Sequence, residues 1–90
     1  MIQNKNQKEI VVIAASTGGP AALTKIIPKI PKNLPATILI IQHMLPTFTS
    51  GFAQRLNKLS AIKVKEAKEG DYIKPGLALI APGDYHMVIT

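Results

Sequence analysis

Two uninterrupted apolar runs, EIVVIAA at residues 9–15 and ATILIIQ at residues 36–42, constrain this chain more than any other feature. Both are strand-sized and rich in β-branched residues. Neither alternates with polar residues, which is the pattern of a parallel strand buried on both faces. Between them Leu23, Ile26, Ile27 and Ile30 recur at a period near 3.6, so the connection reads as a helix with one apolar face. Pro20 suits the first turn of that helix, where its missing N–H costs nothing, while Pro28 limits the helix and Pro31 and Pro35 bound the turn that follows. A second helix is expected from about residue 48 to 59, capped by Thr47 or Thr49, with Phe48, Phe52, Leu56 and Leu59 along its apolar stripe. Strand, helix, strand, helix in this order is a right-handed βαβ unit with a second crossover begun.

The remaining third turns to short strands. Residues 61–67 alternate apolar and charged side chains and read as an edge strand. Turns at residues 69–71 and 74–76 lead to a strand at 77–81, and a Pro-Gly-Asp turn at 82–84 leads to a last strand at 85–90. The expected fold is a three-layer α/β/α domain with a mostly parallel, Rossmann-like sheet. Residues 1–8 are a tail and residues 9–90 the domain. Two helices cannot cover both faces of five strands, and Met87-Val88-Ile89 ends the sequence on an apolar strand with no helix to follow. The domain therefore reads as truncated at its C-terminus. The sheet edge and apolar face so exposed favour self-association.

Composition excludes several chemistries. The 90 residues contain no cysteine, so disulfides, thiol nucleophiles and cysteine-based zinc sites are ruled out. With two histidines and five acids, neither a structural metal nor a cofactor is expected. The longest apolar runs fall far short of the roughly 20 residues that span a bilayer, and residues 1–8 hold no signal-like apolar stretch. A cytoplasmic protein without a transmembrane segment is expected. Eleven basic residues against five acidic ones give a net charge of +6, and it is lopsided. Residues 1–60 carry seven basic groups and only Glu9 as an acid, whereas residues 61–90 carry four of each. Such a field steers acidic partners. Nucleic acid is not expected, because the lysines are dispersed and Phe48, Phe52, Tyr72 and Tyr85 do not interleave with them as a stacking platform.

Ser16 stands where the first buried strand gives way to a glycine turn and a helix, the end of an open α/β sheet at which ligands bind. Gly18 and Gly19 let backbone approach closely, and the free N–H groups of the helix start favour an anion or a developing oxyanion. Neither GxGxxG, GxxxxGK[ST] nor GxSxG is present. Nucleophile, anion binder and helix cap all remain open for Ser16 alone. His43 narrows the choice, for it directly follows the second buried strand. Sequential parallel strands usually lie side by side, about 4.8 Å apart, so Ser16 and His43 share one rim in this reading. A neutral imidazole is the base that an unactivated serine hydroxyl requires, although a strand-end histidine also serves as a hydrogen-bonded structural residue. The acid is harder to find. Glu9 begins its strand at the opposite end, and Glu66, Glu69 and Asp71 fall in a surface turn. Asp84 follows a strand but belongs to an ordinary turn, and His86 either joins the rim or pairs with Asp84.

In order, Ala14-Ala15-Ser16-Thr17-Gly18-Gly19-Pro20, Ile41-Gln42-His43-Met44-Leu45-Pro46 with Phe48-Thr49, and Phe52-Ala53-x-Arg55-Leu56 closely resemble the catalytic domain of the chemotaxis response-regulator protein-glutamate methylesterases. Val64-Lys65-Glu66-Ala67, Gly70-Asp71, Pro75-Gly76 and Ile80-Ala81-Pro82-Gly83-Asp84-x-His86 continue the match across residues 9–90. The resemblance implies that Ser16 is the nucleophile and His43 its base, with Thr17, Gly18, Gly19, Met44 and His86 shaping the site and Asp84 outside the triad. It implies hydrolysis of glutamate methyl esters on methyl-accepting chemotaxis receptors, and deamidation of receptor glutamines by the same route. The family's triad aspartate comes from a later glycine-rich segment, and a receiver domain normally precedes the catalytic one. Neither has a counterpart here, so this chain alone is expected to be nearly inactive. Two other classes stay open on the residues themselves: a phosphate- or nucleotide-binding module with its anion at residues 16–19, and a non-catalytic fragment that docks on a protein.

Overall fold

The two apolar runs pair with one another and seed a four-stranded sheet. The computed structural model describes residues 9–15, 18–42 and 46–82. In chain order the elements are β1 (Glu9–Ala15), α1 (Gly19–Ile26), β2 (Ala36–Gln42), α2 (Pro46–Leu59), β3 (Lys63–Glu66) and β4 (Leu77–Ile80). A 3₁₀ turn over Ile27–Lys29 continues α1, because Pro28 lacks the N–H that another α-helical turn would use. The sheet order is β1-β2-β4-β3, and every neighbouring pair is parallel. The last strand expected at residues 85–90 lies outside the described residues.

Handedness explains what covers each face. From β1 to β2 to β3 the chain moves one way across the sheet, so two right-handed crossovers place α1 and α2 on the same face. There Leu23 and Ile27 join Phe52, Ala53 and Leu56 over Ile38, Ile40, Val64, Ala78 and Ile80 in one buried cluster. From β3 to β4 the direction reverses, and the same hand sends residues 67–76 over the other face. Ala67 and Ile73 pack there with Leu39, Leu77 and Leu79. The Thr37 hydroxyl, fully buried, donates to the Lys74 carbonyl and ties this connection to β2. Both helices of the described residues thus lie in one layer, and the opposite face carries a non-helical segment. None of these helices is long and apolar enough to cross a membrane.

Several elements differ from expectation. β1 is not buried on both faces: among the described residues it has a neighbour on one side only, and Val11 and Val12 are 46% and 57% exposed. Nothing among the described residues covers Val12, Ala14 and Ile41 on the face away from the helices, whereas β2, held between β1 and β4, is buried at every position except Ile41. The second helix begins at Pro46, so Thr47 and Thr49 sit inside it rather than capping it. Its buried arc is Thr49, Phe52, Ala53 and Leu56, an i, i+3, i+4, i+7 series rotated away from Phe48 and Leu59, which are 59% and 58% exposed. Ile26 is likewise exposed on α1, and Glu66 ends β3 rather than lying in a turn.

Among the described residues β3 is an edge strand, as its alternation suggests, and its outer side is partly closed. Lys63 N–H donates inward to the Gly76 carbonyl at 3.1 Å, so the next N–H, on Val64, points away from β4. The Asn57 side-chain carbonyl at the end of α2 accepts it at 2.9 Å. The turn beyond β3 is held by Asp71, whose carboxylate accepts from the Lys68 backbone N–H at 2.7 Å and from the Lys65 ammonium at 2.8 Å.

Two predictions follow from these turns. Gly76 has φ +73 and a Cβ there would stand 3.1 Å from the Lys32 carbonyl oxygen, whereas Gly70, at φ +85, faces open space. Both resist a side chain through backbone strain, about 1–2 kcal/mol each, but only Gly76 also meets backbone. Gly76→Ala should therefore lower the urea midpoint clearly more than Gly70→Ala; equal shifts would remove the steric part of this account. The second concerns Asp71. Partial burial raises its carboxyl pKa, but the Lys65 and Lys68 hydrogen bonds and the charges of both lysines prevail and hold it below its ordinary 3.8. A depressed folded pKa stabilises the fold above the ordinary value, and that contribution is lost as the pH falls through the folded value. Asp71→Asn should cost about 1 kcal/mol near pH 7. In urea titrations at stepped pH, its gap from wild type should close below the ordinary carboxylate range.

Candidate functional site

Because all four strands run the same way, their carboxyl ends form one rim, and the register fixes which residues meet there. Ala15 is the partner of Gln42, the last residue of each strand, at the ordinary strand spacing of about 4.8 Å. β4 stops lower, with Ile80 beside Ile40 and Ala81 N–H donating to the Ile40 carbonyl at 2.9 Å. The β1–β2 rim therefore stands two residues proud of β4. The next residues in the chain are Ser16 after Ala15 and His43 after Gln42. Ser16, Thr17, His43 and Met44 lie outside the described residues, as do Asp84 and His86.

The described half of the turn after β1 has the backbone that a glycine allows. Gly18 is the N-cap of α1 in the left-handed region, φ 85 and ψ −5, and its carbonyl accepts from Ala22 N–H at 3.2 Å. A Cβ on Gly18 would meet nothing within 4 Å, so what the position needs is the conformation and not the space. Gly19 is buried as the first helical residue, and Pro20 follows in the first turn. Among the described residues no side chain caps this helix start, and no acid in its own first turn offsets the positive end of the helix. Such an end favours a developing oxyanion.

The acids stand elsewhere. Glu9 begins β1 at the opposite rim, in register with Ala36. Asp71 is engaged by Lys65 and Lys68. Glu66 reaches the carboxyl end of β3, two strands away from β2, and lines a groove against α2 with Ser50 and Gln54. None of these three adjoins the Ala15–Gln42 rim.

Two polar residues are buried on the helix side of the sheet: Gln42, to which the sequence assigns no role, and Thr49, which it reads as a cap. Gln42 is 6% exposed on the helix-facing side of β2, and Thr49 is fully buried on α2. Thr49 was detectable: it shares a helical face with Phe52, Ala53 and Leu56, and a hydroxyl on an apolar face is either an error of pattern or a placed polar group. Gln42 carried no such signal, since a polar residue at a strand end usually marks solvent.

Comparison with known proteins agrees with this geometry. Residues 11–90 match the family model described as CheB methylesterase. A protein-glutamate methylesterase/protein-glutamine glutaminase of Pyrococcus abyssi is 61% identical over 80 residues, covering 89% of this chain and 22% of its own length. One of the same name from Thermotoga maritima is 54% identical over 79 residues, 88% of this chain and 23% of that protein. The crystal structure of the Thermotoga maritima CheB methylesterase catalytic domain superposes with a TM-score of 0.82 at 55% identity, over 87% of this chain and 41% of that one. The chain thus spans under a quarter of these curated relatives, and within them it corresponds to one part of the catalytic domain. Sequence motif, strand register and backbone superposition converge on the same answer: the chain belongs to the CheB methylesterase family.

Proposed function

We propose that residues 9–90 are part of the catalytic domain of a cytoplasmic protein-glutamate methylesterase, which hydrolyses glutamate methyl esters on methyl-accepting chemotaxis receptors to glutamate and methanol. The observation that carries this reading is the in-register pairing of Ala15 with Gln42, the residues that lead directly into Ser16 and His43. Family membership and the names of the relatives support the substrate class.

In this mechanism His43 takes the Ser16 hydroxyl proton as the oxygen attacks the ester carbonyl. The tetrahedral oxyanion is stabilised by backbone N–H groups at the start of α1, where Gly18 and Gly19 keep side chains out of the way. His43 returns the proton to the departing methoxide, methanol leaves, and an acyl-enzyme remains on Ser16. Water enters, His43 removes its proton, and the glutamate carboxylate is released as the serine is restored. An amide in place of the ester gives ammonia and glutamate by the same steps, in keeping with the glutaminase half of the relatives' name. Thr17, Met44 and His86 shape the pocket. The family resemblance puts the acid that orients His43 in a later segment of the catalytic domain, with Asp84 as the substitute within residues 9–90. The basic charge of residues 1–60 suits an acidic receptor surface.

Methanol release from methylated receptor tests both parts. In a chain extended by its native continuation, Ser16→Ala and His43→Ala should each lower turnover by about 10⁴-fold or more, and the double variant should lose little further because the two act as a unit. Retained activity in Ser16→Ala would refute the serine assignment. The ninety-residue chain should itself turn over about 10⁴-fold more slowly than the extended one, the cost of a missing triad acid. Comparable rates would show that the acid lies within residues 1–90.

A further inference from the structure

On the face away from the helices, at the amino ends of β3 and β4, the connection of residues 67–76 walls a pocket of about 250 Å³. Lys63 and Lys65 project into it from alternate positions of β3, Lys74 and Tyr72 from the connection, with Asp71 and Gly76 in its walls. Three lysines against one aspartate leave it net positive by two charges. Lys65 is fixed by Asp71, but the Lys63 and Lys74 ammonium groups carry no ion pair among the described residues. Asp71 also holds the turn through Lys68 N–H, so the walls are braced before any ligand arrives. Leu77 to Ile80 puts about 10 Å of strand between this pocket and the end of β4, and the β1–β2 rim lies farther still. It is a separate place from the ester site.

We propose that this pocket docks an extended acidic segment of a protein partner. A compact phosphate is the poorer fit. Phosphate sites converge backbone N–H groups or an arginine fork on one anion, and here three of the lining backbone donors are already spent: Gly76 N–H on the Ala36 carbonyl at 3.0 Å, Lys63 N–H on the Gly76 carbonyl at 3.1 Å, Asp71 N–H on the Lys68 carbonyl at 3.1 Å. No arginine lines the pocket. Lysines are point charges on long stems that follow charge spread along a chain. Lys63 and Lys65 are about 7 Å apart along their strand, the same repeat as alternate carboxylates of an extended peptide. Tyr72, 43% exposed, offers a ring for the aliphatic part of such side chains.

The test is a titration of the chain with N-acetylated hexaglutamate at low salt, read by backbone amide shifts. Shifts should concentrate in residues 63–77, and Lys63→Glu with Lys74→Glu should weaken binding about tenfold. The charge-matched pair Lys25→Glu with Lys29→Glu on α1 should change it less than about twofold. The neutral pair Lys63→Gln with Lys74→Gln gives the same comparison if charge reversal disturbs folding. Equal losses from the two charge-reversed pairs, or no binding of the peptide, would overturn the proposal. So would pyrophosphate or anionic phosphatidylglycerol vesicles binding more tightly than the peptide with the same dependence on Lys63 and Lys74.

Discussion

Everything in this chain hangs on β2 having a parallel partner on each side. Its burial, complete but for Ile41, removes a continuous apolar run from water, and each large aliphatic side chain so buried contributes about 1.5–3 kcal/mol before entropy is counted. The same strand supplies Ile38 and Ile40 to the helix-side cluster and Leu39 to the other, so the two cores are joined through one backbone. It also sets the site. Because β1 pairs with β2 over seven residues without a bulge, the position of the rim is determined by where the two strands end.

How much of this is legible in the sequence depends on whether a property is local. The strand of residues 36–42 could be read because it is buried on both faces, and its partner of residues 9–15 because its composition is the same. That β1 has no outer neighbour among the described residues could not be read, since exposure depends on what lies beside a strand rather than on its own residues. The stripe on α2 shows a finer failure. Phe48 and Leu59 are apolar and fall on a helical period, yet the neighbours set the buried arc one residue further round, where Thr49 and Ala53 fill it. The insertion of β4 between β2 and β3 was equally silent, because no local pattern records a reversal in strand order.

The candidate site divides in the same way. Ser16 and His43 were found from strand ends and the parallel rule, and the register of β1 with β2 supports the part of that reasoning that concerns the strands. The acid was not found because it is not a local feature: Asp84 had only a turn to recommend it, while Asp71, Glu9 and Glu66 are committed to an ion pair, a strand start and a groove. The basic pocket under β4 was invisible for a related reason. Lys63, Lys65 and Lys74 look like ordinary solvated charge until the β3–β4 connection folds back over the sheet.

The hydrogen bond from Val64 N–H to Asn57 gives this sheet a direction of growth. A side-chain amide occupies a donor that a further strand beside β3 would need, whereas the outer side of β1 meets no strand among the described residues. Addition of backbone is thus discouraged at one border and permitted at the other. The permitted border adjoins the strand that leads into Ser16. Whatever strand joins the sheet there, from the same polypeptide or another, lies beside the strand that leads into the proposed nucleophile, so enlarging the sheet and building on the proposed site become one event.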